Sequence, residues 1–423
     1  MGVEQSSPEL VMPAGSLEKL KFACAYGADA VYAGMPQFSL RARTNSFTEE
    51  QLAEGIIHAH ERGIKVYITL NIFARNTRIE PSLQALRALM TLNPDAVIMS
   101  DPGLIMFARQ EFPDLEIHLS TQANTMNWAA VEFWKTQGIQ RVILPRELSL
   151  VEIRDIHERV PDIDLEVFVH GAMCISYSGR CLLSSYITNR DANLGVCTNS
   201  CRWQYSLHEQ TPEYVLEERE RPGKFFPIEE DDHGTYILNS KDLCAIEQVS
   251  ELWDAGVQGF KIEGRTKSIY YLAHIGRAYR KTLDMMMEGR PFDEAVWEDV
   301  RATANREFTT GFLKNVPEDS RQNYERGYSS YSRYRFGGVV LAYDPETQLV
   351  EIDVKNRVAV GDAVEFVTPQ RSFSQNVQAM YDMNRSPIQV AHGGGPHIFM
   401  AVEQPPEPYT LLRLPCNGSC SQM

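Results

Sequence analysis

"LVMPAGSLEKLKFACAYGADAVYAG", residues 10–34, reads as a strand, a helix and a second strand within 25 residues. The outer runs, LVMPAG (10–15) and AVYAG (30–34), are almost wholly apolar, as parallel strands covered on both faces are. Between them apolar and charged residues recur at helical spacing. Ser16 is placed to cap the helix N-terminus and Gly27 to end it. Strand, helix and a second strand of the same kind form the repeating unit of parallel α/β folds.

The unit recurs along the chain. Six more strand-like runs follow: VYITLN (66–71), AVIMSD (96–101), IHLSTQ (117–122), RVILPREL (141–148), LEVFVHG (165–171) and GFKIEG (259–264). In SFTEEQLAEGIIHAHERG, Thr48 with Gln51 three residues on has the spacing of a capping box. Eight strand-then-helix units in series predict an α/β fold of the (β/α)8, TIM-like barrel type. An open doubly wound sheet is the alternative arrangement of the same elements.

One spacing is irregular. About 87 residues separate the seventh and eighth runs, where roughly 20 to 30 would do, which defines an insertion over 172–258. It carries LHEQTPEYVLEERERPGKFFPIEEDDHG, an exposed loop or lid, and TYILNSKDLCAIEQVSELWDAG, a strand or turn entering a helix. SIYYLAHIGRAYRKTLDMMMEG reads as the last barrel helix. From about residue 328 the pattern changes to short alternating strands with Asp, Gly and Pro turns. The expected organisation is a barrel over 1–325, a small β domain over 326–414 and a tail over 415–423.

Composition bounds the function. With 43% hydrophobic and 23% charged residues the chain is globular, which sets aside disordered and fibrous classes. Neither a bilayer-length apolar run nor an apolar leader core is present, so a cytoplasmic protein with no membrane partner is expected. Short matches to lipidation templates at Gly2 and Cys420 are too brief to carry weight. A net charge of −15 is the wrong sign for a general nucleic-acid binder, and no DNA partner is expected. Any phosphate-binding surface must be a local patch.

Four of the eight cysteines, Cys174, Cys181, Cys197 and Cys201, lie together in the insertion. In a reducing compartment such a cluster binds metal or does redox chemistry more often than it forms disulfides. Zinc ribbons pair cysteines two to four residues apart, and only Cys197 and Cys201 obey that. An iron–sulfur cluster tolerates irregular spacing. Cys174 also follows the seventh strand at its C-terminal end, the face on which barrel enzymes place their chemistry. A [4Fe–4S] cluster, zinc as the alternative metal, and buried unliganded thiols are the three readings.

EVFVHGAMCISYSGRCLLS (166–184) resembles the signature of the collagenase-like peptidase family of unknown catalytic type. With CTNSCRW, MSDPGLIM, NSKDL and KIEGRTKS, the chain is similar to the branch of that family whose members hydroxylate tRNA. The resemblance implies a barrel with a small C-terminal β domain and a [4Fe–4S] cluster on Cys174, Cys181, Cys197 and Cys201. It also implies prephenate as co-substrate, tRNA as partner and 5-hydroxyuridine at the wobble position as product. Other relatives hydroxylate ribosomal RNA or ubiquinone precursors. Cys244 is a fifth ligand candidate or a packed helix cysteine; Cys24 reads as core, Cys416 and Cys420 as tail thiols.

Polar residues at strand ends are the site candidates of a barrel: Asn71, Ser100, Asp101, Gln122, Asn124, Arg146, Glu147, His170, Lys261, Glu263 and Arg265. Among them His170, Glu263 and Asp101 are candidates for proton transfer. His170 is either an acid–base group or a packed histidine. Guanidinium groups bind carboxylates as a fork, so Arg146, Arg180 and Arg265, then Arg41 and Arg43, are candidates for prephenate, with Asn71 and Gln122 beside them. In NYERGYSSYSRYRFGG, basic and aromatic residues interleave, and Tyr328, Arg333, Tyr334 and Arg335 are RNA-binding candidates. The alternative is a tyrosine-rich edge strand. Peptidase chemistry lacks an HExxH pair or a GxSxG turn; a noncatalytic zinc-stapled RNA-binding protein is the remaining class.

Overall fold

The structure, a computed structural model, describes residues 7–34, 47–173, 241–303, 308–314 and 334–416, together with the backbone of four short strands between 215 and 236. Eight strands run parallel and close on themselves: β1 (Glu9–Ala14), β2 (Ala30–Gly34), β3 (Lys65–Leu70), β4 (Ala96–Met99), β5 (Ile117–Leu119), β6 (Arg141–Ile143), β7 (Asp164–Ala172) and β8 (Val257–Ile262). Closure comes from β8, which pairs with β1 at Glu9↔Gly259 and with β7 at Lys261↔Phe168. The eight strands expected from the sequence are those observed, and the open-sheet alternative falls away.

Helices α1 (Leu17–Ala25), α2 (Glu49–His60), α3 (Asn76–Met90), α4 (Pro102–Glu111), α5 (Trp128–Thr136), α6 (Leu150–Arg159), α7 (Val249–Asp254) and α8 (Ile269–Met287) follow the strands in turn. Ser16 accepts from the Lys19 amide, and Thr48 with Gln51 forms the expected capping box. Strand alternation sorts the side chains. Leu10, Met12, Val31, Val66, Ile68 and Val97 join the helices in the outer core, whereas Val11, Tyr32, Tyr67, Ile98 and Ile143 form a separate inner cluster with Phe168.

The upper half of β7 also pairs with an antiparallel strand, Asp242–Cys244, which sets Asp242 opposite Ala172 and Cys244 opposite His170. Phe308–Thr309 extends this edge. Within the insertion, Val215–Glu217 pairs with Phe225–Pro227, and Glu229–Asp231 with Gly234–Tyr236, where a loop or lid was expected.

The C-terminal part is an eight-stranded antiparallel sheet with its own core around Val350, Ile352, Phe366, Met400 and Leu412. It packs on α1, α8 and the short helix α9 (Val296–Ala302) through Phe22, Tyr26, Tyr270 and Ala302 against Val339, Val367 and Leu411. Polar contacts lock this seam. The Tyr26 hydroxyl donates to the carbonyls of Val367 and Tyr409 at 2.9 and 3.0 Å. Arg277, paired with Asp299, donates to Thr368 O and Ser372 Oγ at 3.1 and 2.9 Å. No helix among the described residues is long and apolar enough to cross a membrane.

Candidate active site

Barrel interiors are ordinarily filled with branched apolar side chains; this one holds a chain of charges. Arg141, first residue of β6, donates to Glu9 Oε1 at 2.5 Å and to Glu166 Oε2 at 3.3 Å. Glu166 in turn accepts from Lys261 Nζ at 2.6 Å, with both side chains almost wholly enclosed. Tyr67 and Lys65 donate to the two oxygens of Glu9, and the Tyr67 ring packs edge-on against buried His118. Burial opposes ionisation of both carboxylates, yet Arg141 brings Glu9 down to about 2, and Lys261 with Arg141 holds Glu166 below the usual carboxylate range. Burial lowers the Lys261 ammonium against the pull of Glu166.

Register gives this column a direction. Glu9 and Arg141 start their strands at the barrel floor, whereas Lys261 lies level with Phe168, near the strands' C-terminal ends. There the Lys261 ammonium sits 4.0 Å from the Tyr32 ring centroid and 5.9 Å from that of Phe168. The Arg146 guanidinium lies 3.8 Å from the Phe168 centroid. Arg265 donates to Thr69 Oγ1 at 2.9 Å. Cations from the ends of β6 and β8 thus converge on a floor of Phe168, Tyr32 and Thr69.

Around that floor Asn71 donates to Ser120 Oγ at 3.2 Å, and Ser100 donates to Asn71 O at 3.2 Å. Gln122 lies on a single 3-10 turn, Thr121–Ala123, with its Oε1 buried and without a hydrogen-bond partner; Asn124 closes the turn with φ of 53°. Glu147 follows Arg146 and is half-buried. Glu263 is buried at the rim, where its amide donates to His170 O and its carbonyl accepts from Tyr271. Gly171 makes this approach possible: with φ of 112°, a Cβ there would lie 2.7 Å from Glu263 O.

Two proton-transfer candidates have structural employment. Asp101 caps α4, accepting from the amides of Gly103 and Leu104, while its other oxygen accepts from the Ala74 amide at 3.0 Å. His170 is packed among Tyr271, Tyr279 and Phe308, its Nδ1 3.3 Å from the Tyr279 hydroxyl. Burial, helped by Lys267, pushes it down to about 3, so near neutrality the ring is uncharged, and the expected titration there gives way to the packed alternative.

Cys174, Cys181, Cys197, Cys201, Arg41, Arg43, Arg180, Tyr328 and Arg333 lie outside the described residues. Cys244 ends a short strand, where a helix was expected, and burial raises its thiol to about 12, as it does that of Cys24 in the core. Among the described residues no group of three or more His, Cys, Asp or Glu is placed to hold a metal ion. Tyr334 and Arg335 serve the domain seam and a loop: Tyr334 donates to Glu298 at 2.6 Å beneath the Arg413 guanidinium, and Arg335 donates to Arg357 O at 3.0 Å.

Residues 15–323 match peptidase family U32, and residues 332–413 match the peptidase family U32 C-terminal domain. The chain belongs to peptidase family U32. Among its U32 relatives, tRNA hydroxylation protein P of Haemophilus influenzae is 44% identical, covering 95% of this chain and 94% of that protein. The protein of the same name from Escherichia coli (strain K12) is 43% identical over 98% of both chains. The 23S rRNA 5-hydroxycytidine C2501 synthase of the same organism is 34% identical over 81% of this chain and 48% of its own.

Sequence reading selected Lys261 as a strand-end residue without a role, and passed over Glu9, Arg141, Glu166, Tyr32 and Phe168. Their signal was parity. Glu166 and Lys261 interrupt apolar runs at positions that strand alternation turns inward.

Proposed function

We propose that this chain is a tRNA hydroxylase that forms 5-hydroxyuridine at the wobble position in the cytoplasm, with prephenate as co-substrate and a [4Fe–4S] cluster on Cys174, Cys181, Cys197 and Cys201. The observation that carries the reading is the 43–44% identity, across nearly the whole length of both chains, to proteins named for tRNA hydroxylation. The relative named for ribosomal RNA is matched over only 48% of its own length, which favours tRNA.

The donor set fits the cluster chemically: four thiols without an intervening histidine ligand are what iron–sulfur centres take. The first follows Met173, directly after β7 on the rim that bears Glu263. A cluster held there supplies a one-electron carrier. The chain's own residues do the rest. Arg146, over the Phe168 ring, offers a guanidinium fork for one carboxylate of prephenate, and Arg265, steadied by Thr69, offers a second cation. Phe168, half-buried and backed by the enclosed Ile98 and Ile143, gives the ring of the co-substrate an apolar face.

Nucleoside mass spectrometry of tRNA tests the reading, using a deletion strain complemented with wild type or Cys197→Ala. Wild type is expected to restore wobble 5-hydroxyuridine and the variant to leave it absent. Full restoration by the variant would remove the cluster from the reaction, and a change in ribosomal RNA instead of tRNA would reassign the substrate. Iron with acid-labile sulfide is expected in protein prepared without air; stoichiometric zinc in its place would refute the iron–sulfur assignment.

A further inference from the structure

We infer that Lys261, held by the Glu166–Arg141–Glu9 column, is an electrostatic positioning residue that makes the barrel mouth selective for a dicarboxylate over a monocarboxylate. The inference rests on the co-substrate reading above and adds to it the origin of its charge selectivity.

Three observations carry it. The column alternates in sign from floor to mouth, Glu9, Arg141, Glu166, Lys261, through contacts of 2.5, 3.3 and 2.6 Å. Its cationic end is the one nearest the strands' C-terminal ends. Low dielectric surroundings screen such an array little, so its positive end projects into the mouth. Next, Lys261 and Arg146 both lie within 6 Å of the Phe168 centroid, so one ring spaces a half-exposed guanidinium and an enclosed ammonium. An anion seated on Arg146 feels both. Last, a stable core does not require such a column: buried ion pairs replaced together by apolar groups of like volume are often neutral or more stable. Its orientation toward the mouth gives it a use in the site.

Lys261 is enclosed and does not touch the ligand. It fixes the Tyr32 and Phe168 rings and supplies a charge that cannot swing away, because Glu166 holds it. Arg146 offers its fork to one carboxylate; the field beneath adds to Arg265 in retaining the second.

The experiment is calorimetric titration of the purified full-length protein, without tRNA, with prephenate and separately with phenylpyruvate, an aromatic monocarboxylate that lacks the ring carboxylate and the ring hydroxyl. The variant is Lys261→Met combined with Glu166→Gln, which removes one charge of each sign. Expected is a loss of about tenfold or more in prephenate affinity, little change for phenylpyruvate, and a melting temperature equal to or above wild type. Lys261→Gln serves the same comparison if the double variant does not fold. Wild-type preference for prephenate retained in the variant would overturn this inference alone. Failure of wild type to bind prephenate at all would overturn the co-substrate reading and this inference with it.

Discussion

Asp101 follows β4 and Arg146 follows β6 of the same barrel, and the two have opposite employments. Asp101 has both oxygens on backbone amides, so Asp101→Ala is expected to cost about 1 to 2 kcal/mol of stability as a lost helix cap, seen as a lower denaturant midpoint, while hydroxylation persists. Arg146→Ala is expected to do the reverse: prephenate affinity falls about 10- to 100-fold, as for a lost charge-assisted hydrogen bond, with unfolding unchanged. Calorimetry and melting curves on both variants decide it. In the sequence Asp101 stands out as a proton-transfer candidate, while the capping signal in the string Asp101–Pro102, a cap followed by proline at the first helical position, goes unread. For His170 both the packed and the acid–base readings stand open in the sequence, because the rings that decide between them come from residues about 100 and more positions farther along.

Strand β7 is the element on which the site depends. Its lower half carries Glu166 and Phe168 into the interior, its upper half bends at Gly171 to lie against β8, and its end delivers the chain to Cys174. Gly171→Ala is expected to destabilise the protein by more than about 1 kcal/mol, since φ of 112° and the contact with Glu263 O both exclude a side chain. Differential scanning calorimetry checks this, and an unaltered melting temperature would refute it. The strands themselves were legible because apolar runs bounded by helix caps have few other readings. The ionic column was hidden for a physical reason: Glu9 and Arg141 stand at strand starts, where charge normally meets solvent, and the Lys261–Glu166 pairing joins residues 95 positions apart.

At the scale of the whole molecule, three enclosed histidines among the described residues bear on acid stability. Burial lowers His118, His170 to about 3 and His274 to about 4, so the folded chain refuses protons that the unfolded chain binds below about 6.5. Stability is therefore expected to fall as pH drops from about 6.5 toward 4, by up to about 1.4 kcal/mol per unit for each histidine. The depressed carboxyls of Glu9 and Asp299 add their loss below about 4.5, on the same side. Urea unfolding at pH 7 and pH 5 measures the slope, and His170→Gln is expected to flatten it; an identical slope in the variant would exclude His170 as a contributor. The domain seam belongs to this scale too. Asp299 and Arg277 join α9, α8 and the β sheet in one buried network, so the two parts are expected to melt in a single transition.

Where the long insertion leaves β7, it also returns: Asp242 lies hydrogen-bonded beside Ala172. Both feet of the excursion stand on the same rungs of one ladder, so the strand that re-enters at Asp242 takes its register from the strand that leaves at Ala172. A clasp of this kind fixes where the chain rejoins the barrel, whatever the length of sequence strung between its two ends.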